Sequence, residues 1–478
     1  MAEQKPEIMQ RKVGLLETVA MITGLVIGAG IFCMVPTIAG MSGPAVFIAF
    51  LVACLPSLFV VLFEIQLTGT LPVTGANYVT VTRVMSPFWG GILSFAAVLA
   101  ILAANFLVAV VFGDYVIAFV QSFIPGFTMD GKIFTIGIMV FFSLINYFGV
   151  TLSSIVQLIL FLVFVIGMLI FGAVGLVNIN PANLTPLFPK GTVMFIVAVV
   201  LASYVWSGLL ALADIGGEVK NPRRNLPLAL IISFFIILVL YTMQPLALVG
   251  TMNWQEAAKI GNPAILVDAG RLMPGWGITV VFIAALGAIL TTINALTWSA
   301  SRDLLAWARD GMFPSAVAHL SRFKTPDLAI LIITVIEVLG VMAAATIDKY
   351  ALASVLASSL ITILLAWCVF RMPKKIPDLY KKAIIKFNPF WRWFTYIGAL
   401  ITSGIILLSG ILLDMMDDKG DPTKFPWVVV IFIVVLVLGA IWYLARRAYL
   451  KGKGIDLDGN MRKIADATLA EAEEKLSL

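Results

Sequence analysis

Charge is what this 478-residue chain has least of. Only 12% of its residues are Asp, Glu, Lys or Arg, against roughly a quarter in soluble globular domains. With 61% hydrophobic residues, it lacks the polar surface a water-soluble globule needs. Cysteine is scarce too: Cys33, Cys54 and Cys368 all fall in apolar stretches without metal-ligand spacing, which excludes a disulfide framework and a zinc site. The single histidine, His319, excludes chemistry built on histidine clusters. No sizeable soluble domain and no in-membrane cluster of His, Asp and Glu is present, which argues against a membrane enzyme or a receptor. A ring-forming filter segment is missing, which argues against a channel. Short alternating strands are missing, which argues against a barrel. A cleavable leader is not expected, because the first apolar run is too long and follows Lys5, Arg11 and Lys12.

What is present is a series of apolar runs, each near the roughly 20 residues that cross a bilayer. Twelve spans are predicted, at 14–39, 44–69, 88–121, 132–149, 153–177, 192–214, 226–250, 276–300, 327–345, 350–370, 394–413 and 425–445. The fold class is therefore an all-α polytopic membrane protein. With the N-terminus inside, inner segments hold 25 of the 32 lysines and arginines and outer segments hold 7. That bias places both termini in the cytoplasm of a multi-pass protein of the cell membrane. The net charge of +6 is this inner collar. Anionic lipid suffices as its partner, and nucleic acid is not called for.

Two spans are interrupted. Span 1 carries Gly28-Ala29-Gly30 at its centre and span 6 carries Trp206-Ser207-Gly208. Glycine is a poor helix former, and freed N–H and C=O groups are expensive in lipid unless they hold something. Spans 1 and 6 open two units of five. Five is odd, so the second unit lies inverted, and paired interruptions in inverted halves point to a midplane binding site. The division expected is an N-terminus 1–13, a first repeat 14–177, a second repeat 192–371, two further helices within 394–445 and a tail 446–478. A short lid helix is predicted within 251–275 and a solvated helix at 461–476.

At the first break, carbonyls of Val26, Ile27 and Gly28 and N–H groups of Ala29, Gly30, Ile31 and Phe32 are expected to be open. At the second, the carbonyls of Tyr204 and Val205 and the N–H groups of Gly208 and Leu209 join them. Helix C-termini attract cations and N-termini attract anions. One gap thus suits both ends of a zwitterionic amino acid. The binding residues expected are Ile27, Gly28, Ala29, Gly30, Ile31, Tyr204, Trp206 and Gly208. Asn105 in span 3 is expected either to contact the solute or to hydrogen-bond a neighbouring helix.

Gly28-Ala29-Gly30-Ile31-Phe32 resembles the Gly-x-Gly-Ile-Phe segment of amino acid–polyamine–organocation transporters. Three more segments resemble that family in order: Pro72 to Tyr78, with Ala76 in place of a second glycine; Glu218 to Pro227; and Ser301 to Pro314. The resemblance implies a leucine-transporter-type fold of ten core helices in inverted repeats, with discontinuous helices 1 and 6, two peripheral spans and alternating access. It also implies Trp206 as an aromatic gate. Some relatives place a lysine seven residues after a span-5 glutamine; here Gln157 is followed by Phe164. Ala288-Ile289-Leu290-Thr291-Thr292 resembles the Ala-x-x-Thr-Ser sodium pattern of neurotransmitter symporters. A sodium site would comprise Gly24, Ile27, Ala288, Thr291 and Thr292, an oxygen shell suited to a hard cation. The same threonines are equally able to bond their own helix. No other cofactor is expected.

No Lys or Arg lies at mid-membrane in the core spans, and carboxylates within the spans are few: Glu64, Asp114, Asp214 and Glu337. A small neutral amino acid, or a small amine, fits this scarcity best. Glu337 is expected to be a hydrogen-bonded structural carboxyl, with proton coupling as the other reading.

Overall fold

The computed structural model describes residues 11–124, 126–342, 346–416 and 423–462. The helix expected at 461–476 lies outside them beyond Arg462. Glycine and proline punctuate the apolar runs into helices. α1 (Leu15–Val26) stops at Ile27, and α2 (Ala29–Ser42) starts after Gly28. Gly43 takes φ +69°, a left-handed turn that favours glycine, and a Cβ there would strike the Pro189 ring. α3 (Val46–Val52), α4 (Cys54–Thr70) and α5 (Ala76–Val84) follow. Pro87 opens α6 (Pro87–Phe123), with the Ser86 side chain accepting from the Trp89 N–H.

α7 (Gly131–Phe148) and α8 (Val150–Val177) lead to α9 (Gly191–Val205). After Trp206 the chain continues as a 3-10 helix, Ser207–Asp214. Then come α10 (Pro222–Thr251), α11 (Trp254–Ile260), α12 (Ala264–Leu272), α13 (Gly277–Arg309), α14 (Asp327–Met342) and α15 (Ile347–Lys375). α16 (Pro377–Lys381), α17 (Pro389–Met415), α18 (Trp427–Lys451) and α19 (Leu457–Arg462) complete the described chain. There are no β-strands among the described residues, only isolated bridges at Val13–Val219 and Thr74–Ile215.

Among the described residues, ten helical stretches are long and apolar enough to cross a membrane. One of them, Leu15–Thr70, has 56 residues. As helix it would run about 80 Å, far beyond a hydrocarbon core of about 30 Å, so it cannot be a single crossing. The molecule is an all-helical, multi-pass membrane protein. α13 and α15 are its interior, with 67% and 83% of their apolar windows buried, against 22% for α17 and 28% for α18. α17 turns Ile401, Ile405, Leu408 and Leu412 outward, as a lipid-facing helix does.

One end of the bundle holds a buried ionic layer. Arg302 of α13 donates to Glu218 Oε1 from Nε (3.0 Å) and Nη2 (2.9 Å), and Trp298 donates to Glu218 Oε2 at 2.6 Å. Arg83 grips Asp310 with both terminal nitrogens at 2.8 and 2.9 Å. Burial pushes the Asp310 carboxyl up, with Arg83 opposing it. The Lys12 and Val13 N–H groups donate to the Glu218 carbonyl, and Lys220 N–H to that of Val13, stitching the start of the described chain onto this layer.

At the other end lies the expected lid. It is two helices, α11 and α12, because Gly261 at φ +74° turns the chain between them. Asn262 in that turn accepts from Tyr115 at its carbonyl (2.9 Å) and donates to Asp114 (2.9 Å). Burial pushes the Asp268 carboxyl up to about 6, against the pull of the Thr251 hydroxyl donating at 2.6 Å.

Candidate functional site

The α1–α2 break falls one residue earlier than its two glycines suggest. Ile27 leaves the helix at φ −86°, ψ 79°, and Gly28 caps α2 with no side chain serving its first N–H groups. α2 therefore begins with the backbone donors of Ala29, Gly30 and Ile31, the positive end of a 14-residue helix dipole. α1 packs against α8, α10, α13 and the 3-10 helix. Its glycines permit that closeness. A Cβ on Gly28 would strike Thr292, and one on Gly24 would strike Gln157 and Thr291.

The second break sits against the first. A Cβ on Gly208 would strike the backbone carbonyl of Leu25, and one on Gly30 would come within 3.0 Å of Val205 Cγ1. The freed carbonyls are capped from within. The Tyr241 hydroxyl of α10 lies 2.6 Å from the Val26 carbonyl and 3.0 Å from that of Val205. The Ser207 hydroxyl donates to the Tyr204 carbonyl at 2.7 Å. The expectation of open acceptors is thereby corrected for Val26 and Tyr204, with Val205 sharing the one Tyr241 proton: unmet carbonyls are too costly in this interior. Tyr241 was missed in the sequence. The signal available was a lone tyrosine in an otherwise apolar run, whose hydroxyl must find a partner when buried.

Between the breaks lies a small cavity. Leu25, Val26, Gly28, Gly30, Ala104, Val108, Tyr204, Val205, Ser207, Gly208, Thr292 and Leu296 line it. None is charged. The expected residues Gly28, Gly30, Tyr204 and Gly208 thus meet at one place, with Ile27, Ala29 and Ile31 supplying adjoining backbone. An adjoining cavity shares Ala104, Ser207, Gly208 and Leu296 and runs to Asn77, Asp214, Asp303 and Trp307. Asn77 donates to Asp214 from its backbone N–H and its side chain, both at 3.1 Å.

Two expected side chains lie elsewhere. Trp206 is 1% exposed, rests edge-on against Tyr241 (5.2 Å) and beside Phe234 (5.6 Å), and donates its indole N–H to the Phe50 carbonyl at 3.3 Å. It does not line the cavity between the breaks; with Ser203, Ser207, Ser358 and Ser359 it lines a neighbouring cavity, which shares Ser207 with the first. Asn105 is fully buried and donates to Glu337 of α14 at 2.6 Å and towards Thr297 of α13 at 3.4 Å. Of its two readings, the helix–helix hydrogen bond is the one observed.

Of the residues expected to hold a cation, Gly24, Ala288, Thr291 and Thr292 lie together. Thr292 donates to the Gly24 carbonyl at 2.6 Å with the Ala288 carbonyl at 3.1 Å, and Thr291 donates to the Ala288 carbonyl at 2.7 Å. A directed chain flanks them. Asn146 and Ser153 both donate to Asn294 Oδ1 at 3.0 Å, and Asn294 donates to Gln157 Oε1 at 2.8 Å. That turns the Gln157 amide nitrogen towards α1, 3.5 Å from the Ala20 carbonyl. These oxygens are right in kind for a hard cation. To serve one, the hydroxyl protons now on the Gly24 and Ala288 carbonyls must turn away.

Comparison with known proteins gives the family. A family model described as amino acid permease matches residues 13–437. The chain is 25% identical over 458 residues to the branched-chain amino acid permease BcaP of Bacillus subtilis, covering 91% of this chain and 92% of that one. It is 28% identical over 335 residues to an uncharacterized transporter of Mycobacterium tuberculosis, covering 69% and 73%. It is 27% identical over 350 residues to a methylthioribose transporter of Bacillus subtilis, covering 68% and 73%.

Proposed function

The chain belongs to the amino acid permease family of transporters, and from that premise we propose that it carries a small neutral amino acid across the membrane by alternating access. One observation carries the reading: two helix breaks face each other across a cavity with no charged side chain. The α2 N-terminus offers backbone donors to a carboxylate. Carbonyls near the α1 end, each with a second lone pair, suit an ammonium. Leu25, Ala104, Val108 and Leu296 suit an apolar side chain. The relative named for branched-chain amino acids supports the same class. In this reading the chain makes twelve crossings in a five-plus-five inverted repeat with two peripheral helices, and both termini are cytoplasmic. A radiolabelled competition panel in proteoliposomes tests it. Neutral aliphatic amino acids should compete best, and failure of every neutral amino acid to compete sinks it.

A second reading, a small-amine or polyamine importer or an amino acid–amine exchanger, draws on Asp214 and Asp303 in the adjoining cavity. Pairing each amino acid in the panel with its decarboxylated amine separates the two. For the driving ion we propose sodium, co-transported at Gly24, Ile27, Ala288, Thr291 and Thr292. The convergence of oxygens from α1 and α13 supports it. Uptake unchanged when choline replaces sodium at fixed pH removes it.

A further inference from the structure

Glu337 is the one charged residue of α14 after its first turn. It is fully buried, while Leu331, Val335 and Leu339 on the same helix face outward. Its Oε1 accepts twice, from Asn105 at 2.6 Å and from Thr297 at 3.0 Å. Its Oε2 is buried with no hydrogen-bond partner among the described residues, and so is Asn105 Oδ1 beside it. With no donor facing Oε2, nothing there steadies a negative charge, and the surroundings suit the neutral acid. An ionised carboxylate buried without a cation is too costly to persist, and such groups neutralise instead.

Among the described residues no cation pairs with it. α14 packs against α6, α7, α13 and the turn at Ser315–Ala318. On α6, Asp114 and Tyr115 engage Asn262. On α7, Lys132 and Tyr147 sit at opposite ends of the helix. On α13, Arg302 is held by Glu218, Asp303 lines the adjoining cavity and Arg309 is in the last turn. After the Ser315–Ala318 turn, His319 pairs with Asp327. Tyr350 of α15 donates to the Gly340 carbonyl.

Glu337 is also wired to the cavity. Asn105 follows Ala104 on α6, and Thr297 follows Leu296 on α13; Ala104 and Leu296 line the gap between the breaks. The carboxyl therefore joins, from behind, two walls of the solute cavity. Separation of α6 and α13 would break both bonds to Oε1 and admit water.

We propose that Glu337 is a proton-binding site coupled to the transport cycle, loaded while the bundle is closed and exchanging only when α6, α13 and α14 part. The step balances simply. A proton comes from water on one face, sits on Oε2 and leaves to water on the other face, with no other bond made or broken. The proposal rests on the transport reading above and adds a proton to whatever solute is carried.

Infrared difference spectra of the purified protein in lipid test the site without a solute. A protonated-carboxyl C=O band, shifted by deuterium, should be present in wild type, lost in Glu337→Gln and displaced in Glu337→Asp. An identical band in all three, or none in wild type, overturns the proposal. Where Glu337→Gln does not fold, the Glu337→Asp displacement decides. Transport is then read with radiolabelled leucine in proteoliposomes with equal sodium on both sides and the membrane potential clamped. Wild type should accumulate leucine up to roughly tenfold per pH unit of inward proton gradient. Glu337→Gln should lose accumulation while keeping leucine counterflow within about twofold. Gradient-driven accumulation intact in Glu337→Gln also overturns it. Absence of leucine counterflow in wild type counts against the amino acid reading instead, and the infrared result judges Glu337 alone.

Discussion

The two helix breaks begin from similar sequence and end with different jobs. After the first, the chain resumes as an α-helix of 14 residues, Ala29–Ser42, whose leading N–H groups no side chain caps. After the second it resumes as a 3-10 helix, Ser207–Asp214, with its preceding carbonyls closed by Ser207 and Tyr241. The first leaves helix N–H groups without a side-chain cap; the second has its carbonyls closed by hydroxyls and is pressed on the first. A helix interruption is therefore not a binding site by itself. What decides is which end of the dipole is left exposed and which hydroxyls lie near.

The largest effect that would sharpen this contrast is at the contact between the breaks. Gly208→Val puts a side chain into the Leu25 carbonyl, backbone that cannot swing aside. We expect uptake to vanish and stability to fall by about 1–3 kcal/mol or more, as in overpacked cores, read by uptake and thermal unfolding. Gly30→Leu fills the open donor end and should also stop uptake, but with the unfolding midpoint shifted by only a few degrees. Normal uptake kinetics in Gly30→Leu would erase the assignment of the first break as the anion end.

Next is Tyr241→Phe, which removes the single hydroxyl serving both breaks. Leaving a buried carbonyl unmet costs about 1–3 kcal/mol, so maximal uptake should fall roughly tenfold or more. No change would mean the breaks are not held from α10. Trp206→Phe should cost about 1 kcal/mol of stability for the lost bond to Phe50 and leave KM within about twofold. A large KM change would favour the gating role instead.

The smallest effect concerns the roof over the first break only. α11 packs on α2, and Ala258 lies 3.1 Å from where a Cβ of Gly40 would be. Asp268 behind it carries a carboxyl raised from 3.8 to about 6. A raised carboxyl keeps its proton longer in the folded state than in the unfolded one. Stability is thus greatest below about pH 4 and declines as pH rises through about 6. Discounted for partial exposure, the loss is on the order of 1 kcal/mol. Hydrogen exchange in α11 and α12 should quicken over that window and be flat in Asp268→Asn.

Much of this was legible in the chain. Glycines marked the first break, and the apolar runs marked the membrane helices. What the sequence could not convey was direction. Residues two apart on a helix point about 200° apart, so with Tyr204 lining the gap, Trp206 had to face away from it. Ala104 and Val108 share a face, and Asn105 is turned about 100° from it, towards Glu337. Tyr241 could not be placed because its partners lie 36 and 215 positions away. The lid was foreseen as one helix because Gly261 reads as a weak spot and not as the corner it makes.

Gly208 lying on the Leu25 carbonyl has a mechanical consequence. Backbone seated on backbone at that distance leaves no room for α1 and the 207–214 segment to slip past one another, so they must travel as one body. Paired spin labels on these two elements should hold a constant separation through turnover, while the distance from either to α6 takes two values.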